Sequence, residues 1–461
     1  MRGIIPIIVS IYFVVQTLGD VDESSQLYSD FMAIVLKQKT RLPAAQCKHD
    51  PDRHAPWLFR NATFLDDPWY RIYNINESTL PILSKLGVTT PHPELFEVPE
   101  EILEERWALA ITERAVPLCN SFQNCSREDA LDDVLGYREF FYTRKVVMFV
   151  DVWVDYRGLI VDRATCKAVR NGACLPRPFE FKKEVSSHHY PLVISLATSW
   201  RGTWHFPMEN IVALAHIDRA ILDKAHFHLP AKNEYITSWL QSLVIPTSRM
   251  LEGTVSCRVL LVSEMRCGEP FFAQLEWMRQ SYLPQETAQQ RKAIGFDYSS
   301  FVDESTTAGA TTTIAKGGVN KQLSVVLVDR TKSRAVVNML QMYTSVQAFA
   351  AANNMQFVLH ADRALPISLY EQMRRFAAAD IVVAPHGAGL LFTTFMPYTS
   401  CIVEFSNTRN PHCYAHIAYV RNMSYVMYDM VNNTVDLDKM KTGLSRCLLA
   451  VKANKASYGI T

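Results

Sequence analysis

The sequence has only one apolar run that approaches the length of a membrane span, and it lies at the start of the chain. Arg2 precedes a run that ends at Leu18, with the small residue Gly19 next to it. A run of about 15 residues falls short of the roughly 20 that cross a bilayer. Residues 1–19 are therefore interpreted as a secretory signal peptide, and a retained signal anchor is the alternative.

A charge excess of either sign is missing too. The 461 residues include 47 Lys and Arg against 46 Asp and Glu, for a net charge of +1. Neither the basic surface of a nucleic-acid binder nor a polyacidic tail is present. The chain, which is 48% hydrophobic and 20% charged, can bury the cores of two or three domains. Small or neutral partners are favoured, nucleic acid is not expected, and membrane contact is expected only through an anchor.

Two kinds of catalytic motif are also missing. The ten cysteines show no CxxC or CxxC…HxxxH spacing of the kind that binds zinc. No G-x-S-x-G elbow occurs, which argues against a serine hydrolase on an α/β sheet.

The cysteines that are present favour an oxidising compartment. Three short separations fit local disulfides, namely Cys119 to Cys125, Cys166 to Cys174 and Cys257 to Cys267. Cys401, inside an apolar strand, is equally compatible with a buried free thiol. Five N-glycosylation sequons agree with a secretory compartment and begin at Asn61, Asn76, Asn124, Asn422 and Asn432.

Strands and helices alternate most clearly in residues 323–461. The predicted strands are LSVVLVDR, QFVLH, DIVVAP, CIVEF and SYVMYDM. The helix between the second and third strands begins with a capping box formed by Ser368 and Glu371. Strands that are nearly all apolar and alternate with helices indicate a parallel sheet covered on both faces. We therefore predict a Rossmann-like domain here.

A second α/β domain is predicted for residues 145–304, because residues 190–290 again alternate apolar strands with helical patterns. Residues 305–322, STTAGATTTIAKGGVNKQ, have few apolar side chains and are predicted to be a flexible connector. Residues 20–144 show no clear period and are predicted to be irregular. The expected fold class is α/β, with two Rossmann-like domains facing a cleft and an irregular N-terminal region.

The stretch DIVVAPHGAGLL places a histidine and two glycines where a strand meets a helix. Ligands of open parallel sheets bind outside the carboxyl ends of the strands, where a helix N-terminus favours anions. Gly387 and Gly389 let the backbone approach a ligand, and His386 can donate to a phosphate or a sugar hydroxyl. The alternative is an ordinary tight turn with a capping histidine.

Further candidates follow neighbouring strands. Arg330 and Arg334 come directly after LSVVLVD, and each can donate charged hydrogen bonds worth roughly 1.5–3 kcal/mol to a phosphate. Lys332 is a weaker candidate. Alternatively, one arginine is solvated or pairs with Asp329. Glu404, in CIVEF, can accept from ribose hydroxyls or from a base, or else serve as a cap or salt-bridge partner.

The stretch TWHFPMEN contains a candidate acid–base pair. His205 and Glu209 are four residues apart, so they share one face if Pro207 opens a helix. Such a pair can take the proton from an attacking hydroxyl. The alternative for His205 is a core histidine. His188 and His189 have no partner in their spacing and are predicted to be surface residues.

Three stretches together resemble glycosyltransferase family 61 over roughly residues 145–430: RRFAAADIVVAPHGAGLLFTTFMP…CIVEFSN, VVLVDRTKSRAVVN and GTWHFPMENIVAL. The resemblance implies a GT-B-like pair of Rossmann domains and an inverting, metal-independent transfer of a sugar from a nucleotide donor, expected to be a UDP-sugar. It implies a catalytic pair, Glu209 as the favoured base with His205. It also implies a donor site formed by Arg330, Arg334, His386, Gly387, Ala388, Gly389 and Glu404.

No cofactor is expected besides the nucleotide-sugar co-substrate. A metal-dependent route usually needs an Asp-x-Asp pair. The pair at Asp20 and Asp22, beside the signal, and the pair at Asp436 and Asp438, near the C-terminus, are both poorly placed. No metal ligand is therefore predicted, and arginines are expected to stabilise the negative charge of the departing diphosphate in place of a metal ion.

The expected reaction transfers N-acetylglucosamine or a pentose to a glycan or glycoprotein hydroxyl in the secretory-pathway lumen, in the Golgi or the endoplasmic reticulum. The C-terminus carries no KDEL-type retention signal. The alternative is a catalytically inactive, secreted relative that binds glycan or protein. The full candidate set favours the enzyme: His205, Glu209, Arg330, Arg334, His386 and Glu404.

Overall fold

A computed structural model describes residues 70–76, 96–97, 143–163, 168–171, 185–198, 202–217, 219–263, 270, 272–293, 322–330, 335–361, 367–407, 412–421 and 423–457. The predicted signal segment, nearly all of the predicted connector, Lys332 and Arg334 lie outside these residues. The chain divides into two compact units. The first contains residues 70–76 and the described residues from 143 to 278, and the second contains residues 96–97 and those from 279 onward.

Two strands come from the region predicted to be irregular. Strand β1 (Tyr70–Asn76) pairs antiparallel with β3 (Thr143–Val154) in the first unit. Strand β2 (Phe96–Glu97) pairs parallel with β14 (Ser424–Asp429) in the second. The prediction of irregular structure is thus wrong for these two segments, because each is ordered by a partner strand distant in sequence.

The sheet of the first unit is mixed. Its further strands are β4 (Leu159–Asp162), β5 (Ala168–Arg170), β6 (Val185–Ser195), β7 (His226–His228), β8 (Met250–Leu251) and β9 (Thr254–Ser263). The order is β5-β4-β3-β9-β6-β7-β8, with β1 also on β3. Strands β6 to β9 pair in parallel with one another, whereas β3 is antiparallel to β9 and β4. The predicted Rossmann-like character therefore applies to the parallel strands alone, and β3 and β4 are antiparallel because the turn between them is too short for a crossover.

Strand β3 reverses its inward-facing side at Asp151. Phe149 and Val152 lie in the same hydrophobic cluster, although regular alternation would put residues three apart on opposite faces. Asp151 has a φ of 55°, outside the extended region. Its carboxylate accepts a hydrogen bond from Arg258 of β9. The shifted alternation lets both halves of the strand bury their apolar side chains in one core.

We expect the ion pair between Asp151 and Arg258 to make the free energy of unfolding depend on pH. Burial opposes ionisation of Asp151, but hydrogen bonds from His189 and Arg258 outweigh it and lower the pKa of the carboxyl group below its usual 3.8. A group with a lowered folded-state pKa contributes stability that is present above the unfolded value and lost as pH falls through the folded value. Asp151→Asn should therefore destabilise the protein by about 1–3 kcal/mol at pH 7, with the deficit shrinking below about pH 4.

Urea unfolding of both proteins between pH 3 and pH 7 measures this difference. Asp223→Asn is the control, because its ion pair with Arg219 is 53% exposed on the aspartate side and 60% on the arginine side, and exposed pairs contribute little. A deficit that stays constant down to pH 3 would show that the ionised form of Asp151 is not what stabilises the bend.

Short helices complete the first unit. After Trp204 the chain forms a π-helix (Phe206–Ile211), a 3-10 helix (Val212–His216) and α1 (Arg219–Leu222). Helix α2 (Glu234–Ser242) is capped by Asn233, whose side chain accepts from the backbone N–H of Ile236 at 2.9 Å. A further 3-10 helix (Thr247–Arg249) leads into β8.

The second unit has the parallel sheet that the sequence predicts. Its strands are β10 (Ser324–Asp329), β11 (Gln356–Ala361), β12 (Ile381–Pro385), β13 (Cys401–Ser406) and β14, in the order β11-β10-β12-β13-β14-β2. Every neighbouring pair is parallel, so the unit is Rossmann-like. The order reverses between β10 and β12, which makes the carboxyl ends of these two strands the topological switch point.

Helices cover this sheet. They are α5 (Met339–Ala352), α6 (Leu369–Ala377), a 3-10 helix (Ala388–Phe395), α7 (His412–Val420) and α8 (Leu437–Ser457). The predicted cap of α6 is confirmed, since Ser368 Oγ accepts from the backbone N–H of Glu371 at 3.1 Å. In the described ranges, none of the helices is at once long and apolar enough to cross a bilayer.

Two helices precede β10 in the chain, α3 (Phe272–Tyr282) and α4 (Pro284–Ala293). The division at residue 278 falls inside α3, ahead of the predicted connector. Residues after it belong with the second unit because Gln290 Nε2 donates to the carbonyl of Ala377 at 2.9 Å, and Arg374 pairs with Glu286 at 3.1 Å.

The structure settles the state of two cysteines, Cys401 and Cys257. Cys401 of β13 forms a disulfide with Cys447 of α8, with 5.4 Å between the Cα atoms, which decides between the two alternatives for Cys401. Cys257 is a free, buried thiol in β9, so the predicted disulfide with Cys267 is wrong. The Cys257 side chain lies in the hydrophobic core of the first unit. Burial there raises the pKa of the Cys257 thiol. The other two predicted pairs lie outside the described residues.

Candidate functional site

Arg330 and the glycine loop meet at the switch point of the second unit. Arg330 follows β10 directly, and His386 follows β12 directly. Arg330 Nη1 donates a hydrogen bond of 2.7 Å to the carbonyl oxygen of His386. The structure thus brings together a cation and a loop that the sequence separates by more than fifty residues.

The two glycines of this loop serve different purposes. A Cβ atom added at Gly387 would lie 1.4 Å from Arg330 Nη1 and 2.2 Å from its Cζ. The guanidinium therefore lies against Gly387, in the space that any other side chain would occupy. At Gly389 the nearest atom to an added Cβ is Val328 Cγ1, at 4.0 Å. Position 387 therefore requires a glycine, because the Arg330 guanidinium packs against its Cα.

His386 is held by a buried carboxylate. Its Nδ1 lies 2.5 Å from Glu404 Oε1, and Glu404 Oε2 accepts a hydrogen bond of 2.7 Å from the hydroxyl of Tyr425. The Glu404 side chain is 0% exposed and that of His386 is 9% exposed. Of the two alternatives for Glu404, contact with a ribose or base and a role as salt-bridge partner, its burial and its two partners favour the second, with His386 as the partner.

Tyr425 is a site residue that the sequence did not reveal. It lies in β14, and its register partner in β13 is Ile402, two residues from Glu404. Nothing in SYVMYDM distinguishes this tyrosine from an ordinary core residue. Its contact depends on which strand lies beside β13. The ring of Tyr414 in α7 also packs edge-on against His386, with 5.2 Å between the ring centroids.

The first unit contains a second histidine–glutamate pair. His205 Nδ1 lies 2.5 Å from Glu209 Oε1. Pro207 stands in the first turn of the π-helix that positions them, so the expected shared face is confirmed. The Glu209 side chain is 1% exposed, whereas that of His205 is 26% exposed. The imidazole is therefore the part of this pair that a solvent-borne molecule can reach.

The two pairs share one chemical arrangement. In each, a buried glutamate faces Nδ1 of a more exposed histidine, so we place a proton on Nδ1, which donates a hydrogen bond to the carboxylate oxygen. A carboxylate in this position fixes the orientation and the tautomer of the ring. Nε2 is then the atom of each histidine that can exchange a proton or bind a ligand.

The remaining predicted residues are placed as follows. Ala388 and Gly389 open the 3-10 helix after β12, and both are partly exposed. Arg334 lies outside the described residues, so its role stays a prediction. Among the residues that the structure describes, no three His, Cys, Asp or Glu side chains gather as metal ligands. Metal independence likewise stays a prediction.

His189, predicted to be a surface residue, takes part in the bend of the first sheet. Its Nδ1 lies 2.9 Å from Ser256 Oγ and 3.1 Å from Arg163 Nη1, and its Nε2 lies 3.5 Å from Asp151 Oδ1. Its spacing gives no signal because these partners come from different parts of the sheet.

Comparison with known proteins bears on both histidine pairs. Residues 196–403 match the family model described as glycosyltransferase 61. This part of the chain is similar to glycosyltransferase family 61. The match to family 61 contains His205, Glu209, Arg330 and His386, and it ends one residue before Glu404. The resemblance predicted from the sequence is thereby confirmed.

Several curated proteins are similar to this chain, and four of them are named EGF domain-specific O-linked N-acetylglucosamine transferase. The protein from Xenopus laevis is 26% identical over 114 residues, which are 25% of this chain and 21% of the relative. The protein from Drosophila melanogaster is 41% identical over 46 residues, 10% of this chain and 9% of the relative. The chain thus matches no more than about a fifth of the length of these relatives.

Proposed function

We propose that this protein is a glycosyltransferase of family 61 that moves a sugar from a nucleotide donor to the hydroxyl group of a glycan or glycoprotein. The observation that carries the proposal is the contact between Arg330 and the His386–Gly387 loop at the switch point of a parallel sheet. Nucleotides bind at such points. The similar proteins are named as N-acetylglucosamine transferases, which supports N-acetylglucosamine as the sugar, with a pentose as the other choice.

The donor's diphosphate is assigned to the second unit. A departing nucleoside diphosphate carries about two developing negative charges, which a metal-free site must stabilise with fixed cations and dipoles. Arg330 supplies one cation beside the loop, and Arg334 is proposed as a second. The backbone amides of Gly387, Ala388 and Gly389 add donors at the start of a helix. A UDP-sugar, an inverting and metal-independent reaction and a GT-B-like arrangement belong to the same proposal.

The general base is assigned to the first unit. The sequence favoured Glu209, but the 1% exposure of its side chain argues for His205. The acceptor hydroxyl attacks the anomeric carbon, its proton passes to His205 Nε2, and the bond to the diphosphate breaks with its electron pair. Attack opposite the leaving group inverts the anomeric centre. Glu209 holds the ring and balances the positive charge that forms on it.

A screen of the secreted chain against UDP-sugars, with and without EDTA, tests the proposal by measuring UDP release. Release with one sugar and an acceptor glycoprotein, unchanged by EDTA, is the expected result. Activity that EDTA abolishes would remove the metal-free mechanism. Binding of UDP without turnover of any sugar would favour the alternative, an inactive relative that binds glycan or protein.

The proposal also includes entry into the secretory pathway, in the Golgi or the endoplasmic reticulum. The disulfide between Cys401 and Cys447 agrees with an oxidising compartment. Asn432 of the sequon at residues 432–434 is exposed, in a turn where the backbone N–H of Thr434 donates to Val431 at 2.8 Å. An exposed turn can accept a bulky glycan without loss of core packing.

We therefore expect Asn432 to carry an N-linked glycan. Glycosidase treatment of the chain from a secretory host should reduce the mass by one glycan more in the wild type than in Asn432→Gln or Thr434→Ala. Asn433→Gln, next to the acceptor but not itself one, is the matched control. An unmodified Asn432 in a chain whose other sequons carry glycans would contradict the site, and no glycan at any sequon would contradict secretory entry.

A further inference from the structure

Gly202 lies beside the imidazole of His205, in the segment that leads into the π-helix of the first unit. A Cβ atom added at Gly202 would lie 3.5 Å from His205 Cδ2. Cδ2 is bonded directly to Nε2, whereas Glu209 is bound on the other side of the ring, at Nδ1. Gly202 is exposed, and the His205 side chain is 26% exposed. A longer side chain at position 202 would therefore stand next to the ring on the side of Nε2.

The fold does not require a glycine at position 202. Gly158, which the fold does require, has a φ of 86°, and a Cβ there would lie 2.5 Å from the carbonyl oxygen of Ala197. Gly202 is not one of the positive-φ glycines, and 3.5 Å is an ordinary van der Waals distance. Apart from the adjoining residues, no other atom of the described chain lies within 4 Å of that added Cβ. An alanine would thus fit, and the missing side chain leaves open space beside His205.

The segment that contains Gly202 is held in place by hydrogen bonds. Tyr235, in the first turn of α2, donates its hydroxyl to the carbonyl oxygen of Thr203 at 2.7 Å. Burial raises the pKa of the Tyr235 hydroxyl, which therefore keeps the proton that it donates. The carbonyl of Gly202 accepts from the backbone N–H of Phe206 at 3.1 Å. These bonds fix the open space in position relative to His205.

We propose that Gly202 keeps the approach to His205 Nε2 open for the sugar or peptide that carries the acceptor hydroxyl. This inference rests on the proposed function, in which His205 takes the proton. A hydroxyl must come within about 2.6–3.2 Å of Nε2 to transfer its proton, and the rest of the acceptor then fills the space beside the ring. Water needs no such space. Gly202 is thus a specificity-determining residue, and Tyr235 is a positioning residue that holds its segment.

A larger side chain at position 202 should separate the two acceptors by size. UDP release from UDP-N-acetylglucosamine is measured with water as the only acceptor and with the glycoprotein acceptor of the wild-type reaction. In Gly202→Leu, kcat/KM for the glycoprotein should fall about 10- to 200-fold more than hydrolysis does, because the added methylene groups exclude the larger acceptor. Equal losses in the two reactions would overturn the inference, since the side chain would then disturb His205 itself. Unchanged transfer to the glycoprotein would overturn it too.

Gly202→Ala is the matched control, because it restricts the backbone in the same way but adds only an atom that the structure accommodates. Its preference for the glycoprotein over water should stay within about 3-fold of the wild-type preference. A preference already lost in Gly202→Ala would show that the freedom of the backbone matters, and not the open space.

Tyr235→Phe tests the positioning role. The loss of one hydrogen bond should raise KM for the glycoprotein about 3- to 10-fold and affect hydrolysis and UDP affinity much less. Thr237→Val is the control on the same helix, because the Thr237 hydroxyl donates to the carbonyls of Asn233 and Glu234 at 3.0 and 3.2 Å, and it should leave this KM unchanged. A lower melting temperature of Tyr235→Phe without a change in KM would show that the bond serves the fold alone.

A measurement without a sugar donor tests access to His205 directly. Diethyl pyrocarbonate modifies accessible imidazole nitrogens, and the exposed His188 serves as an internal reference. By mass spectrometry, modification of His205 relative to His188 should be about 5- to 50-fold slower in Gly202→Leu than in the wild type. Equal rates would overturn the inference even if sugar transfer occurs. A wild-type chain that moves no sugar would contradict the proposed function, while these rates would still decide whether Gly202 controls access to His205.

Discussion

His205→Ala should lower turnover by roughly 10²–10⁴-fold, the usual contribution of a general base, while leaving UDP affinity unchanged. The expectation follows from exposure. The side chain of His205 is 26% exposed and that of its partner Glu209 is 1% exposed. An acceptor hydroxyl can reach the imidazole, whereas the carboxylate lies behind it. The measurement is steady-state kinetics with a saturating donor, together with calorimetry for UDP.

Glu209 provides the matched comparison. If Glu209 only orients the ring, Glu209→Gln should cost about 10- to 100-fold in turnover, the usual effect of a group that supports another. The double variant should then lose little beyond His205→Ala alone, because the two residues act as one unit. If Glu209→Gln is instead as damaging as Glu209→Ala and His205→Gln remains active, the base is Glu209, as the sequence alone favoured.

Features set by spacing were predictable from the sequence. His205 and Glu209 are neighbours because four residues along a helix return to the same face, and even a π-helix keeps them together. The parallel sheet of the second unit follows from strands that are apolar throughout. The edge that holds Arg330 and His386 follows in turn, because parallel strands end at the same side.

Features set by strand order were not predictable. Tyr425 contacts Glu404 only because β14 lies beside β13, and the antiparallel half of the first sheet depends on pairings between distant segments. The reversal of the inward-facing side of β3 at Asp151 was also not predictable from the sequence, because it results from one residue with a positive φ. In the sequence, one strand whose apolar alternation shifts by one residue cannot be distinguished from two shorter strands.

For Gly387, the sequence reveals only part of the reason for a glycine. From the sequence, Gly387 gives the backbone room to approach a ligand. In the structure that room is filled by Arg330, whose Nη1 lies 1.4 Å from the position of a Cβ at residue 387. The glycine therefore acts on a ligand through the arginine that it accommodates.

Gly387→Ala should accordingly weaken UDP binding as much as Arg330→Ala does, by about 10- to 100-fold, because a methyl group in this position displaces the guanidinium. The displaced atoms are the end of a flexible side chain, so the melting temperature should change little. The double variant should bind UDP no more weakly than either single one, since both remove the same contact. Gly389→Ala leaves Arg330 in place, its nearest neighbour being Val328 Cγ1 at 4.0 Å, and so reports on the ligand's own approach to the loop. Additive losses in the double variant would show that Gly387 contacts the nucleotide directly. A joint fall of affinity and melting temperature would show that it serves the turn.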